Sequence, residues 1–177
     1  MVFEIINKIS SILNDRLKVE FNLTKDIVKV QPIDGDAADG SVSISMVNIE
    51  RDTSSGISFS RRNVSGGHTA KGNPSWDMNL YVIIAAVFPK KQYADSLKII
   101  TEVFKVLQEN YLLTFNEQGL HYSIEPYNLT LQELSNIWSI SGGTYWPSVL
   151  CRIRTITIDS NTIIQIDANV EQMGIEL

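Results

Sequence analysis

His68, His121, Cys151 and the aspartates Asp34, Asp36 and Asp39 are the residues whose types could do chemistry, and their spacing argues against most of it. The two histidines lie far apart, with neither cysteine nor carboxylate at metal-ligand spacing beside them. A zinc site needs three or four such ligands together, and a general base needs a partner that orients it. The aspartates faintly resemble a calcium loop, but the EF-hand pattern wants Gly at its sixth position and Glu at its twelfth. Counted from Asp34, those positions hold Asp39 and Ser45, so a solvated turn is the reading. Ser65-Gly66-Gly67-His68 and Ser141-Gly142-Gly143 are glycine-rich, yet neither carries the Gly-Lys-Ser/Thr ending of a phosphate loop. No G-x-S-x-G elbow is present. The residues therefore predict no catalytic group, no metal site and no cofactor, and the chain reads as a non-enzyme.

What remains is a set of side chains suited to contact with other proteins. Arg61, Arg62 and Lys71 put positive charge into a polar segment of an acidic chain of net charge −5, which suits a docking arm for an acidic surface or a solvated loop. Arg152 and Arg154 share one face of a predicted strand. They can shield that face with their aliphatic stems or pair across a subunit boundary. Trp76 and Trp146 stand at predicted strand starts, where core packing is the default, although Trp and Arg are common interface anchors. Ile163, Ile164 and Ile166 can form an edge strand able to exchange hydrogen bonds with a neighbour.

The elements that position these residues follow from periodicity. Ile5, Ile6, Ile9, Ile12, Leu13 and Leu17 predict an opening helix over Val2–Val19. Strands are expected at 27–30, at Ser41–Glu50 by clean alternation, and at Trp76–Phe88 by a continuous apolar run covered on both faces. Between the last two, residues 51–75 read as a long polar loop. A second helix is predicted over Lys91–Asn110, with Tyr93, Leu97, Ile100, Phe104 and Leu107 as its core stripe and Lys91, Asp95, Lys98, Glu102, Lys105 and Glu109 as its wet face. Short strands are expected at 111–115 and His121–Tyr127. Thr130 and Glu133 form a capping box for a third helix, which Ser141-Gly142-Gly143 ends. Pro147 precedes a strand over Val149–Asp159, with Val149, Cys151 and Ile153 on its buried side. The fold class is α+β. One domain over 1–159 holds a mixed, largely antiparallel sheet with two long helices and one short helix packed on it, and 160–177 is a tail.

Composition agrees. At 177 residues, with 44% apolar and 20% charged residues, the chain is long enough to bury a sizeable core without disulfides. A single cysteine allows no internal disulfide and fits a reducing compartment. The acidic balance argues against nucleic-acid binding. No stretch approaches the ~20 apolar residues that cross a membrane. No leader peptide is visible, so a cytoplasmic product is expected.

Four segments, taken in order, resemble the cap or tail-terminator family of contractile injection systems, the phage-tail-like particles of the antifeeding-prophage and Photorhabdus-virulence-cassette type. They are Val42–Glu50, Trp76–Phe88 around Leu80-Tyr81, the helix from Ser96-Leu97-Lys98 to Gln108-Glu109-Asn110, and Leu129–Asp159 with Leu134-Ser135-Asn136-Ile137-Trp138, Gly142-Gly143, Tyr145 and Pro147-Ser148-Val149-Leu150. The resemblance lies in packing residues over nearly the whole chain, and is weakest across Arg51–Ser75. It implies a tail-terminator-like N-terminal domain and a structural, non-enzymatic protein. Such a protein sits as a sixfold ring on the distal end of the inner tube, touches the last sheath layer, stops tube growth and so fixes particle length. The implied partners are the inner tube protein, the sheath protein and further copies of the chain, with no nucleic acid and no membrane. Many relatives carry a C-terminal extension past the matching region, which admits a paralogous cap subunit as a further partner. Assembly in the cytoplasm, then residence in the particle, is the implied location. The competing reading is a soluble α+β domain or enzyme that binds a small molecule in a cleft beside the central strand, lined by Tyr81, Trp138 and Tyr145.

Overall fold

The computed structural model describes residues 1–33, 40–54, 58–64, 68–114, 121–158 and 163–168; for 58–64, 68–71, 155–158 and 163–168 the description is of the backbone. The aspartates 34, 36 and 39 and the glycines 66 and 67 lie outside it. The elements in order are α1 (Val2–Phe21), β1 (Val28–Val30), β2 (Ser41–Arg51), β3 (Ser58–Val64), β4 (His68–Val87), a short 3₁₀ turn (Lys90–Gln92), α2 (Tyr93–Glu109), β5 (Leu112–Thr114), β6 (His121–Pro126), α3 (Leu131–Ile140), β7 (Ser148–Ile158) and β8 (Ile163–Ala168). Two compact units result, one from Met1–Ile49 with Asn79–Thr155, the other from Glu50–Met78 with Ile156–Leu177.

In the first unit the strand order is β1-β2-β4-β7-β6-β5. β1 runs parallel to β2, while β6 is antiparallel to both β5 and β7, so the sheet is mixed and largely antiparallel, as expected. Its central strand β4 is apolar on both faces because both are covered. Tyr81, Ile83, Ala85 and Val87 point to one face and pack with Trp138 of α3, Trp146 and Leu150. Leu80, Val82, Ile84 and Ala86 alternate to the other face and are likewise buried. On that side, Ile9 and Leu13 of α1 meet Val106 and Leu107 of α2 over Ile124 of β6.

Polar side chains fix the ends of these elements. Asn14 of α1 is buried and reaches the first edge strand. Its Oδ1 accepts from the N–H groups of Ile27 (3.1 Å) and Val28 (2.9 Å), and its Nδ2 donates to the Val28 carbonyl at 3.0 Å. The Thr130–Glu133 capping box forms as expected, with Glu133 N–H on Thr130 Oγ1 at 3.2 Å and Thr130 N–H on Glu133 Oε2 at 2.8 Å. These bonds to Thr130 hold the Glu133 carboxyl below the usual carboxylate range. At the other end of α3, Gly142 and Gly143 take positive φ (88° and 75°), and Gly143 N–H closes back on the Trp138 carbonyl at 2.8 Å.

Two expectations are corrected. α2 is rotated from the predicted stripe: Ser96, Ile99, Ile100, Val103, Val106 and Leu107 face inward, while Tyr93, Leu97 and Phe104 are exposed. Glu102, assigned to the wet face, is only 3% exposed. It is neutralised by Arg16 Nε at 3.0 Å and Lys105 Nζ at 2.7 Å, which makes its burial tolerable.

The second correction concerns residues 51–75, which are not a loop throughout. In the second unit β3 pairs antiparallel with the start of β4, Arg61 opposite Lys71, with an irregularity between Phe59 and Arg61. β8 pairs antiparallel along the other side of β4, Ile166 opposite Ala70 and Ile163 opposite Gly72. The polar ribbon escaped notice because both its faces are hydrophilic, so no period-two apolar signal exists.

Candidate functional site

In the first unit, the register of β6 against β7 sets Glu125 directly opposite Arg152 and Ser123 opposite Arg154. Arg152 donates through Nε (3.0 Å) and Nη2 (2.6 Å) to Glu125 Oε1, and Arg154 Nε forms an ion pair with the same oxygen at 2.8 Å. Two guanidinium groups thus share one carboxylate, leaving one positive charge in local excess. The Arg152 guanidinium also lies 5.4 Å from the centre of the Tyr127 ring, which meets Tyr81 edge-on at 5.2 Å. The pairing shown lies within the chain. Glu125 and Tyr127 were missed in sequence because nothing in a strand's own pattern gives its register against a neighbour.

Trp76 belongs to the second unit and is exposed, with the Arg51 guanidinium 6.0 Å from its ring centre. Arg61, Arg62 and Lys71 lie on the β3–β4 ribbon, and Ile163, Ile164 and Ile166 on β8, which pairs only with β4 among the described residues. Trp146 is different. It is buried in the core cluster of the first unit and offers no surface. Tyr81, Trp138 and Tyr145 do come together, but as packing: Trp138 lies in that core cluster and meets Tyr145 edge-on at 5.7 Å.

The exposed stripe of α2 adds a feature that sequence reasoning did not assign. Phe104, Gln108 and Tyr111 face Ile124, Glu125 and Pro126 of β6 across an open notch of about 550 Å³. Three of its polar neighbours are already engaged: Thr101 Oγ1 donates to the Leu97 carbonyl at 2.7 Å, Lys105 is held by Glu102 and Glu125 by the two arginines, while Gln108 is exposed. The signal was present in the sequence as an excess of apolar residues around α2, more than one sheet face can cover.

Among the described residues no group of three or more His, Cys, Asp or Glu is placed to hold a metal ion. His121 Nδ1 lies 3.1 Å from Thr114 Oγ1 on the neighbouring strand. Cys151 is fully buried and its thiol is pushed up to about 12 by desolvation, which keeps it from forming the reactive thiolate. No helix among the described residues is long and apolar enough to cross a membrane.

The sequence profile of the Pvc16 N-terminal domain matches residues 4–171. The chain belongs to that family. Its fold matches the sheath/tube terminator of an extracellular contractile injection system, PVC, in the extended state, with a TM-score of 0.73 and 18% identity over 100% of this chain and 63% of that one. It also matches the tube-terminating cap of the anti-feeding prophage, with a TM-score of 0.63 and 15% identity over 94% of this chain and 59% of that one. At these identities the likeness is one of fold, and this member of the Pvc16 N-terminal domain family spans less than two thirds of either chain. No curated protein matches it.

Proposed function

We propose that this chain is a structural assembly protein that caps the distal end of the inner tube and sheath of a contractile injection particle, ending tube growth and fixing particle length. The observation that carries the reading is the fold: over its whole length the chain follows a sheath/tube terminator, and the family profile covers 168 of its residues, from 4 to 171. The described surface is compatible with such a role, which needs rigid sheets, exposed edges and contact side chains, not a pocket.

In this reading the chain is no enzyme. It forms a hexameric ring and touches the tube and sheath proteins, with a paralogous cap subunit as a further neighbour. It assembles in the cytoplasm and remains in the particle. Arg61, Arg62 and Lys71 on the β3–β4 ribbon, Trp76, Arg152 and Arg154, and β8 through Ile163, Ile164 and Ile166 are the contacts. Positive side chains on an acidic chain suit acidic partner surfaces, and an edge strand suits strand addition.

Particle length, measured by negative-stain microscopy with and without the gene in its native cluster, tests the reading. Uncapped, missing or irregularly long particles in its absence are expected. Particles of normal, uniform length would show that this chain does not terminate the tube. The double variant Arg152→Gln/Arg154→Gln separates contact from presence: a folded but non-capping chain is expected.

A further inference from the structure

The two arginines of β7 are not equally engaged. Arg152 uses Nε and Nη2 on Glu125 Oε1, whereas Arg154 reaches that oxygen through Nε at 2.8 Å. Nη1 and Nη2 of Arg154 have no hydrogen-bond partner among the described residues. They lie in one plane, at a spacing that matches the two oxygens of a carboxylate. The Arg154 side chain is 43% exposed, against 23% for Arg152, so the unused end of its guanidinium meets solvent.

The sheet fixes what surrounds that end. Residues 150, 152 and 154 of β7 share a face by alternation, and Leu150 packs with Trp138 of α3. Arg154, Glu125 and Tyr127 are exposed on the same face, so α3 covers its Leu150 end and stops short of Arg154. Ser123 stands directly opposite Arg154 in the β6–β7 register, and residues so paired share a face. Its hydroxyl has no partner among the described residues. The Tyr127 ring, held edge-on against Tyr81, adds an apolar surface beside the arginines.

We infer that the outer end of Arg154, with Ser123 across the strand pair, receives a carboxylate from an acidic segment of a partner protein, and that Glu125 positions the guanidinium for it. The inference rests on the proposed capping role and names the group that its basic strand takes. Glu125 orients Arg154 before the acid arrives, so less side-chain freedom is lost on binding. Arg152, held by two bonds, completes the support.

Charge selects the ligand class. Two guanidinium groups against one carboxylate leave one positive charge, which one further carboxylate neutralises. A phosphate monoester, at about −1.5 to −2 near neutral pH, brings surplus negative charge beside Glu125. A nucleic acid lays down a row of phosphates and needs a cation for each, and this face of β6 and β7 offers two arginines, one already occupied. A small acid needs a concave site to enclose it. A protein segment brings flanking residues of its own, and the Tyr127 ring is there to meet them.

The arginine Nε–Hε signals in the nuclear magnetic resonance spectrum of the isotope-labelled full chain read the contact directly. The chain has six arginines, so single arginine-to-lysine variants assign each signal. The probes are a short blocked peptide with one central glutamate, the same peptide with glutamine, and the same peptide with phosphoserine. One exposed ion pair is weak, so affinity on the order of millimolar or weaker is expected for the glutamate peptide. It should shift the Arg154 signal saturably and the Arg152 signal less, and the glutamine peptide should shift neither. The phosphoserine peptide should bind more weakly than the glutamate one. Arg154→Lys keeps the charge and loses the planar fork. It should weaken glutamate binding severalfold, read at Arg152, with an unchanged melting transition. Glu125→Gln adds a positive charge and should reverse the order, so that phosphoserine binds the tighter. In particles, a carbodiimide should join the lysine of the Arg154→Lys chain to an aspartate or glutamate of a neighbouring protein. The absence of a saturable shift at Arg154, equal binding by the Arg154→Lys chain, or tighter binding of phosphoserine to the unchanged chain overturns the inference. So does a chain present in particles that gives no such cross-link. Particle length without the gene reads the capping role independently, so the two can fail separately.

Discussion

Replacing Glu102 with Gln should destabilise the fold by about 2 kcal/mol at neutral pH and by much less in acid. The Glu102 side chain is buried between α1 and α2, with Oε1 accepting from Arg16 Nε at 3.0 Å and Oε2 from Lys105 Nζ at 2.7 Å. Gln keeps the shape and one acceptor, so the Arg16 bond survives as a weaker, neutral-acceptor bond. The amide nitrogen, however, faces an ammonium that also only donates, and that bond is lost. Hydrogen bonds to charged groups contribute about 1.5–3 kcal/mol each. Lys105 is exposed and turns to water, which spares the further cost of an unpaired buried charge. For a chain of this length about 2 kcal/mol corresponds to a fall of roughly 4–8 °C in Tm.

The pH dependence follows from the sign of the shift. The Lys105 bond, then the Arg16 bond, hold the Glu102 carboxyl below its ordinary range. A carboxyl whose folded pKa is depressed stabilises the fold above its unfolded value of about 4.3, and this is lost as pH falls through the folded value. Thermal melts of both proteins from about pH 7 to pH 3 should show a wide gap that narrows below about pH 4. Melts that coincide at neutral pH, or a gap as wide at about pH 3, would refute the reasoning.

Asn14→Ala should cost about 2–3 kcal/mol, since it strips partners from buried backbone groups of Ile27 and Val28; denaturant titration reads the loss, and hydrogen exchange should quicken first in β1. Gly40→Ala should cost about 1–2 kcal/mol, because Gly40 has a φ of +62° and an added Cβ would lie 2.6 Å from Phe88 Cδ1. An unchanged Tm would contradict it. Cys151 should resist a thiol reagent at about pH 8 and react only as the chain unfolds, in step with the loss of tertiary signal; prompt labelling of the native chain would contradict its burial.

What was legible in the sequence was whatever has a one-sided apolar period or a strong local signal. The buried residues of α1 repeat as Ile5, Ile9, Leu13 and Leu17, and the capping box and glycine stop of α3 are local chemistry that needs no tertiary partner. β4 was legible from Leu80 to Val87, where both faces are covered. It was illegible from His68 to Ser75, where Pro74 and a run of polar residues normally argue against a strand. Yet Ser65-Gly66-Gly67 between two runs of similar length is a hairpin signal, and weighting it above polarity would have found the ribbon.

α2 shows why phase fails when a helix is apolar on more than one side. Two stripes compete, Ile99-Val103-Val106 and Leu97-Phe104-Tyr111, and the charge of Glu102 tips the choice toward the wrong one. That charge is acceptable inside only because Arg16 arrives from 86 residues away in sequence, a fact no local pattern contains. The stripe left outside is then a consequence of the rotation. Once Ile99, Val103 and Val106 cover the sheet, Phe104 must face the notch. A helix with apolar residues to spare has either a second neighbour in its own chain or one in another. Among the described residues the first does not cover Phe104, which stays 42% exposed.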